Sequence, residues 1–160
     1  MDNAFEMHMP RKGPADVLVP LERRLSPPDA GEVRVAIEAA GVAYADIIMR
    51  QGVYPGWKPP LTPGYDFVGR VEALGAEVAG LEVGQRVAGV TIAGSYATRR
   101  NVKADWLVPA PESADAVQLV AATMNGLTAW QMFHRLASAE AGEWVLVHGE
   151  IGRASCRERV

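Results

Sequence analysis

From Glu32 to Ala39, apolar and polar residues alternate without a break. Val33, Val35, Ile37 and Ala39 fall on one side of an extended chain, and Glu32, Arg34, Ala36 and Glu38 on the other. A period of two marks a strand buried on one face, and such a strand needs a sheet around it. Phe67 to Leu74 repeats the strand signal, with Gly69 pointing to a bulge or a close backbone approach. Gln85 to Val90, Ser95 to Val102 and Trp106 to Val108 are further strand candidates, and Asp16 to Arg23 a short edge strand. Several short strands separated by Gly and Pro turns predict a small β-barrel.

Beyond Pro109 and Pro111 the pattern changes. Ser113 can cap a helix on which Val117, Val120, Ala121 and Met124 share one face. A second helix is expected over Leu127 to Ala137, with Trp130, Phe133 and Leu136 apolar, and Val117 to Phe133 reads as buried helix. Gly142 punctuates. Glu143 to Gly149 is then nearly all apolar, the pattern of a strand buried on both faces in a parallel sheet.

Composition narrows the function. A net charge of −3 gives no general basic field for nucleic acid or an anionic membrane. Met1 to Gly13 lacks a signal-peptide run, and no apolar stretch reaches spanning length. The single Cys, Cys156, cannot close an internal disulfide or build a multi-Cys zinc site, and fits a reducing, cytoplasmic setting.

Two stretches carry the organisation: Gly41-Val42-Ala43-Tyr44-Ala45-Asp46-Ile47-Ile48-Met49-Arg50-Gln51-Gly52-Val53-Tyr54-Pro55, and Leu61-Thr62-Pro63-Gly64-Tyr65-Asp66-Phe67-Val68-Gly69. The first leaves a strand, makes a short helix and stops at a Gly; the second begins a strand after a Pro-Gly turn. Together with Gly80-Leu81-Glu82-Val83-Gly84-Gln85-Arg86-Val87, Gly94-Ser95-Tyr96-Ala97-Thr98 and Asn125-Gly126-Leu127-Thr128-Ala129-Trp130, they resemble the N-terminal domain of the medium-chain dehydrogenase/reductase superfamily. The likeness is to its zinc-free quinone oxidoreductase branch, and runs from about Glu32 to about Gly149. It implies a mainly β fold with helices: a GroES-like β-barrel, two helices and the first strand of an incomplete Rossmann fold. The boundaries expected are 1–112 for the barrel domain, 113–149 for the linking helices and strand, and 150–160 for a tail foreign to the family pattern. In the family a Gly-rich phosphate turn follows the last strand. Here Gly149-Glu150-Ile151-Gly152-Arg153 lacks its later glycines. The tail reads as run-on into unrelated sequence, with a divergent natural end as the other reading.

Zinc-dependent relatives place a Cys where this chain has Ala43 and a His where it has Tyr65. Neither is a zinc ligand here, so no metal is expected. The chemistry left open is hydride transfer from a reduced nicotinamide to an activated acceptor, a quinone or enone, with the cofactor carrying the reactivity. The resemblance puts Tyr44, Asp46, Ile47 and Ile48 beside the nicotinamide half of NADPH, and Thr128 and Gln131 on the same cleft. Tyr54 and Tyr65 are substrate-side candidates. Relatives usually carry Asn at the position of Ala43, so the acceptor class stays open.

Simpler roles stand beside these. Asp46 can be a first-turn acid, Tyr44, Tyr54 and Tyr65 packing aromatics, and His134 and Arg135 partners of a helix dipole. His8 falls near a flexible terminus, His148 is a candidate core histidine, and Arg99, Arg100 and Lys103 read as a solvated strand edge. The resemblance further implies a homodimer for full-length members and little activity for this chain alone. A stand-alone GroES-like binding or assembly module is the alternative function.

Overall fold

The computed structural model describes residues 3–146, in which every strand pairing is antiparallel. β1 (Asn3–His8) pairs with β2 (Val19–Arg24) as a two-stranded sheet. β3 (Glu32–Ala40), β4 (Asp66–Leu74), β5 (Arg86–Val90), β6 (Arg99–Lys103) and β7 (Leu107–Pro109) form a second, in the order β6-β3-β4-β5-β7. The chain ahead of β6 joins the two sheets: Met7 N donates to Tyr96 O at 2.8 Å, and Thr98 N to Phe5 O at 2.8 Å.

The alternation in β3 places Val33 and Val35 in the core with Phe67, Val71, Val87, Val102 and Leu107. Each such side chain contributes roughly 1.5–3 kcal/mol through burial. Arg34, on the opposite face, is buried as well. Its guanidinium bonds Asn101 Oδ1 and Ser26 O, so the β2–β3 connection covers that face too. The β3–β4 register is irregular between Ile37 and Ala39, opposite Gly69. A methyl at Gly69 would overlap the Ala36 carbonyl oxygen, the close approach expected there.

Some boundaries differ from the sequence expectation. Ser95–Thr98 stays outside β6 and makes only an isolated bridge, Glu6 with Ala97. His8 closes β1 instead of lying in a loose terminus. β1 escapes a pattern search because its large apolar residues, Phe5 and Met7, point outward and the small Ala4 points in.

The two expected helices run together. α2 (Ala116–Gln131) is one α-helix, and Met132–Leu136 continues it as a π turn. Asn125-Gly126 reads as a break but costs only about 1 kcal/mol inside a helix that is otherwise packed. Asp115, not Ser113, is the N-cap, its Oδ1 accepting from Val117 N and Gln118 N at 3.0 Å each. The helix is not buried as expected. Val120 packs on Val68 and Ala88, with Leu119 beside it, while Val117, Leu127, Trp130 and Leu136 are exposed. One side of α2 meets the sheet, and no other described element covers the rest.

Residues 143–146, expected to begin a strand, have no sheet pairing. Val147, His148, Gly149 and the 150–160 tail lie outside the described residues. Among the described residues, no helix is long and apolar enough to cross a membrane.

Candidate functional site: two inward carboxylates and the walls they hold

Past Ala40 the chain turns through Gly41–Ala43 into α1 (Tyr44–Arg50). Ala43 occupies the N-cap and has no acceptor of its own. Asp46 compensates, its Oδ2 accepting from Ala43 N at 2.9 Å. The same carboxylate accepts from Gly64 N at 3.2 Å and from the Tyr96 hydroxyl at 3.0 Å. It is only 6% exposed. Asp46 therefore fastens the start of α1 to the Pro63-Gly64 turn and to the Tyr96 loop. Gly64 must be glycine there: its φ is +99°, and a Cβ would lie 2.6 Å from the Tyr96 ring. Burial, then the charge and hydrogen bond of Asp46, raise the Tyr96 hydroxyl above its ordinary value and keep it a neutral donor.

Asp66 is the second inward carboxylate. It opens β4, and its Oδ2 accepts from Met124 N, in the middle of α2, at 3.2 Å. Gly41 lies flush against it: Gly41 N donates to Asp66 O at 3.2 Å, and a methyl on Gly41 would overlap Oδ1. Burial raises the Asp66 carboxyl above the ordinary carboxylate value, and the Asp46 charge adds to the rise. The backbone N–H groups of Met124, Asp66 itself and Gly41 oppose it.

These bonds fix the residues singled out in the sequence. Tyr44 (70% exposed) and Ile47 face outward from α1, and Ile48 is half-buried. Thr128 sits one helical turn beyond Met124, its hydroxyl donating to Met124 O at 2.8 Å. Gln131 is exposed at the end of α2. Gly41, Asp66 and Met124 thus join the segment leading to Tyr44 with the helix bearing Thr128 and Gln131. Asp46 does not share the outward face; its bonds are those of a first-turn acid. Tyr54 is tied to the end of α1 through Tyr54 N and Ile48 O at 3.2 Å. Tyr65 is half-buried, and the Trp57 ring meets it edge-on at 6.4 Å. Ala43 presents only a methyl.

Three supports of this arrangement have no such role in the sequence reading. Tyr96 was visible only as part of Gly94-Ser95-Tyr96. Arg86 is buried and bonds Glu38 Oε2 at 2.9 Å, Pro111 O at 2.8 Å and Ala114 O at 2.6 Å, which holds the approach to α2. Arg100 is not solvated as expected. It points inward over the Phe67 ring at 5.7 Å and donates to Thr91 Oγ1 and Ala93 O at 3.0 and 2.8 Å. Burial lowers its pKa. It thereby braces the loop whose Gly94 and Tyr96 N–H groups bond Pro63 O at 3.2 and 3.0 Å. Successive residues of a strand take opposite faces, so one of Arg99 and Arg100 must turn inward, but which one is known only from the pairing of β6 with β3. Arg99, its neighbour, faces out to Glu72 at 2.8 Å. His8 lies 3.5 Å from Thr62 Oγ1, and His134 packs against Trp130 at 5.1 Å. Among the described residues, no group of three or more His, Cys, Asp or Glu side chains is arranged to hold a metal.

Comparison with known proteins agrees with this architecture. Residues 29–112 match the family profile described as the alcohol dehydrogenase GroES-like domain. A mycocerosic acid synthase-like polyketide synthase of Mycobacterium tuberculosis is 37% identical over 135 residues, which cover 81% of this chain and 6% of that protein. Among solved structures, the human synaptic vesicle membrane protein VAT-1 homolog-like protein superposes with a TM-score of 0.83 at 27% identity, covering 88% of this chain and 46% of its own. Escherichia coli quinone oxidoreductase, complexed with NADPH, does so with 0.76 at 27% identity, covering 84% and 41%. The chain thus spans a small share of that polyketide synthase and less than half of these solved structures. On the matched domain and the superposed fold, the chain belongs to the alcohol dehydrogenase GroES-like domain family, within the medium-chain dehydrogenase/reductase superfamily.

Proposed function

We propose that this barrel supplies one wall of an NADPH-dependent hydride-transfer cleft that reduces a quinone or an enone without zinc. The observation that carries the reading is the Gly41–Asp66–Met124 junction. It links the outward Tyr44 and Ile47 side chains to the helix of Thr128 and Gln131.

The side chains suit the nicotinamide half of the cofactor. Tyr44 and Ile47 offer an aromatic face and apolar surface to a flat ring, and the exposed Gln131 amide offers a donor and an acceptor to a carboxamide. NADPH, when bound, supplies the hydride. Tyr44, Ile47, Ile48, Thr128 and Gln131 orient the ring and exclude water from one side, and Asp46 serves by holding Ala43 and Gly64 in place. Tyr54 and Tyr65 are the acceptor-side candidates, and the Trp57 ring meets Tyr65 edge-on. Zinc independence is read from the side chains at the two ligand positions: the Ala43 methyl has no lone pair, and Tyr65 is not one of the Cys, His or carboxylate donors that zinc sites use. The expected phosphate turn at 149–152 lies outside the described residues. The division at residue 112 also belongs to this reading, with 113–149 leading toward the nucleotide-binding half.

The experiment compares the purified chain with a graft in which its barrel and α2 replace the matching part of the E. coli quinone oxidoreductase. NADPH oxidation is followed with a small quinone and with an enone. The chain alone is expected to be inactive and the graft active on one of the two. A folded graft that binds NADPH and reduces neither overturns the reading. So does turnover by the chain alone at ordinary enzyme rates, on the order of 1–10³ s⁻¹, because a single wall does not catalyse.

A further inference from the structure

α2 meets the sheet through few groups. Val120 is its one buried apolar residue. Its entry is held by Arg86 through the carbonyls of Pro111 and Ala114, and its middle by Asp66. A carboxylate bonded to an amide in the interior of a helix is unusual. That amide already has a carbonyl acceptor one turn back, and the carboxylate gives up solvent to reach it. The arrangement has a directional consequence. Asp66 Oδ2 receives Met124 N–H at 3.2 Å, and Met124 O receives the Thr128 hydroxyl at 2.8 Å. On its other side the same carboxylate stands against Gly41, three residues before Tyr44, with no room for even a methyl group between them.

We propose that Asp66 is a positioning residue: its buried carboxylate is the spacer that sets how α2, with Thr128 and Gln131, lies against the Gly41–Tyr44 segment. The inference rests on the cleft reading above for its functional meaning, but on the geometry alone for its physical content. The groups that face Asp66 are Asp46 of α1, Tyr96 of the loop before β6, and the N–H groups of Gly41 and Met124. A carboxylate with no role beyond filling space would be replaced at no loss by an apolar residue of similar volume. A spacer would not be, because Met124 N–H and Gly41 report on it together.

The test uses the full chain, labelled with nitrogen-15, and follows backbone amide shifts with pH. In the parent chain the Met124 and Gly41 amide signals are expected to move together as Asp66 gains its proton, with Thr128 following Met124. Asp66→Asn, which keeps the shape and one acceptor, should keep the signals near their low-pH positions and lose their titration. Asp66→Ala and Gly41→Ala act on the bond from opposite sides. Both should displace Met124 and Thr128 while Val117 stays in place. A Met124 amide that does not titrate in the parent chain, or still titrates in Asp66→Asn, overturns the proposal. If the alanine variants fail to fold, the isosteric Asn variant decides alone. An inactive graft in the previous experiment, beside a titrating Met124 here, removes the function and keeps the spacer; a silent Met124 beside an active graft does the reverse.

Discussion

The barrel core and α2 use the same kinds of apolar residue to opposite ends. In the barrel, Val33, Val35, Phe67, Val71, Val87 and Val102 from four strands close on one another almost without exposure. In α2 and the turn after it, Leu127, Trp130, Met132 and Leu136 face outward, Leu136 at 81% exposure. The barrel is held by dry packing. The helix is held by Val120 and by polar groups, Asp66 and Arg86, that reach out from the strands. Apolar content alone therefore says little about burial; what matters is whether a second surface arrives to meet it.

Breaking the dry side should cost most. Phe67→Ala removes a fully buried ring and the face over which Arg100 lies, with an expected loss of about 3–5 kcal/mol in urea unfolding. A loss below that of the helix variants Asp115→Ala and Leu136→Ala would mean that the core is not where stability resides. Tyr96→Phe tests the polar side. It removes the hydroxyl that donates to the buried Asp46 Oδ2, and is expected to cost about 1–3 kcal/mol by the same measurement.

Asp66→Asn sharpens the contrast through pH. The folded state raises the Asp66 carboxyl above the unfolded value of 3.8. The folded chain therefore binds this proton more tightly, and the contribution of Asp66 to stability falls as pH rises from 3.8 through the raised value. The Asn variant should be the more stable of the two near neutral pH, with the gap narrowing as the medium is acidified through that window. A gap that widens on acidification would contradict the burial that causes the shift.

Smaller effects belong to the helix itself. Asp115→Ala removes the cap that accepts from Val117 N and Gln118 N, for an expected loss of about 1 kcal/mol, read in thermal unfolding by circular dichroism. Leu136→Ala should change stability by less than about 0.5 kcal/mol, since the side chain is exposed. A loss several times larger would show that Leu136 is covered in solution.

Much of the fold was readable because its signals are local. The period-two pattern of Glu32 to Ala39, the strand around Gly69 and the Pro-Gly turn before Asp66 each depend on neighbours a few residues away. The paired stretches Gly41–Pro55 and Leu61–Gly69 likewise led to the family. The site residues were legible as types and positions. Their orientation was not: Asp46, read both as a first-turn acid and as a cofactor-side residue, is enclosed by Ala43, Gly64 and Tyr96. Arg100 looked like a surface charge, yet its register against Val35 sends it inward.

The amino-acid order by itself determined most of the five-stranded sheet, the short helix after Gly41 and the membership of a family. Only the tertiary structure decided which groups Asp66 and Asp46 bond, and that α2 meets the sheet through one buried valine and two polar anchors. The reason is physical. Strand and turn preferences are written in steps of a few residues, whereas Asp66 meets Met124 across 58 positions, a distance that only the packed chain can close.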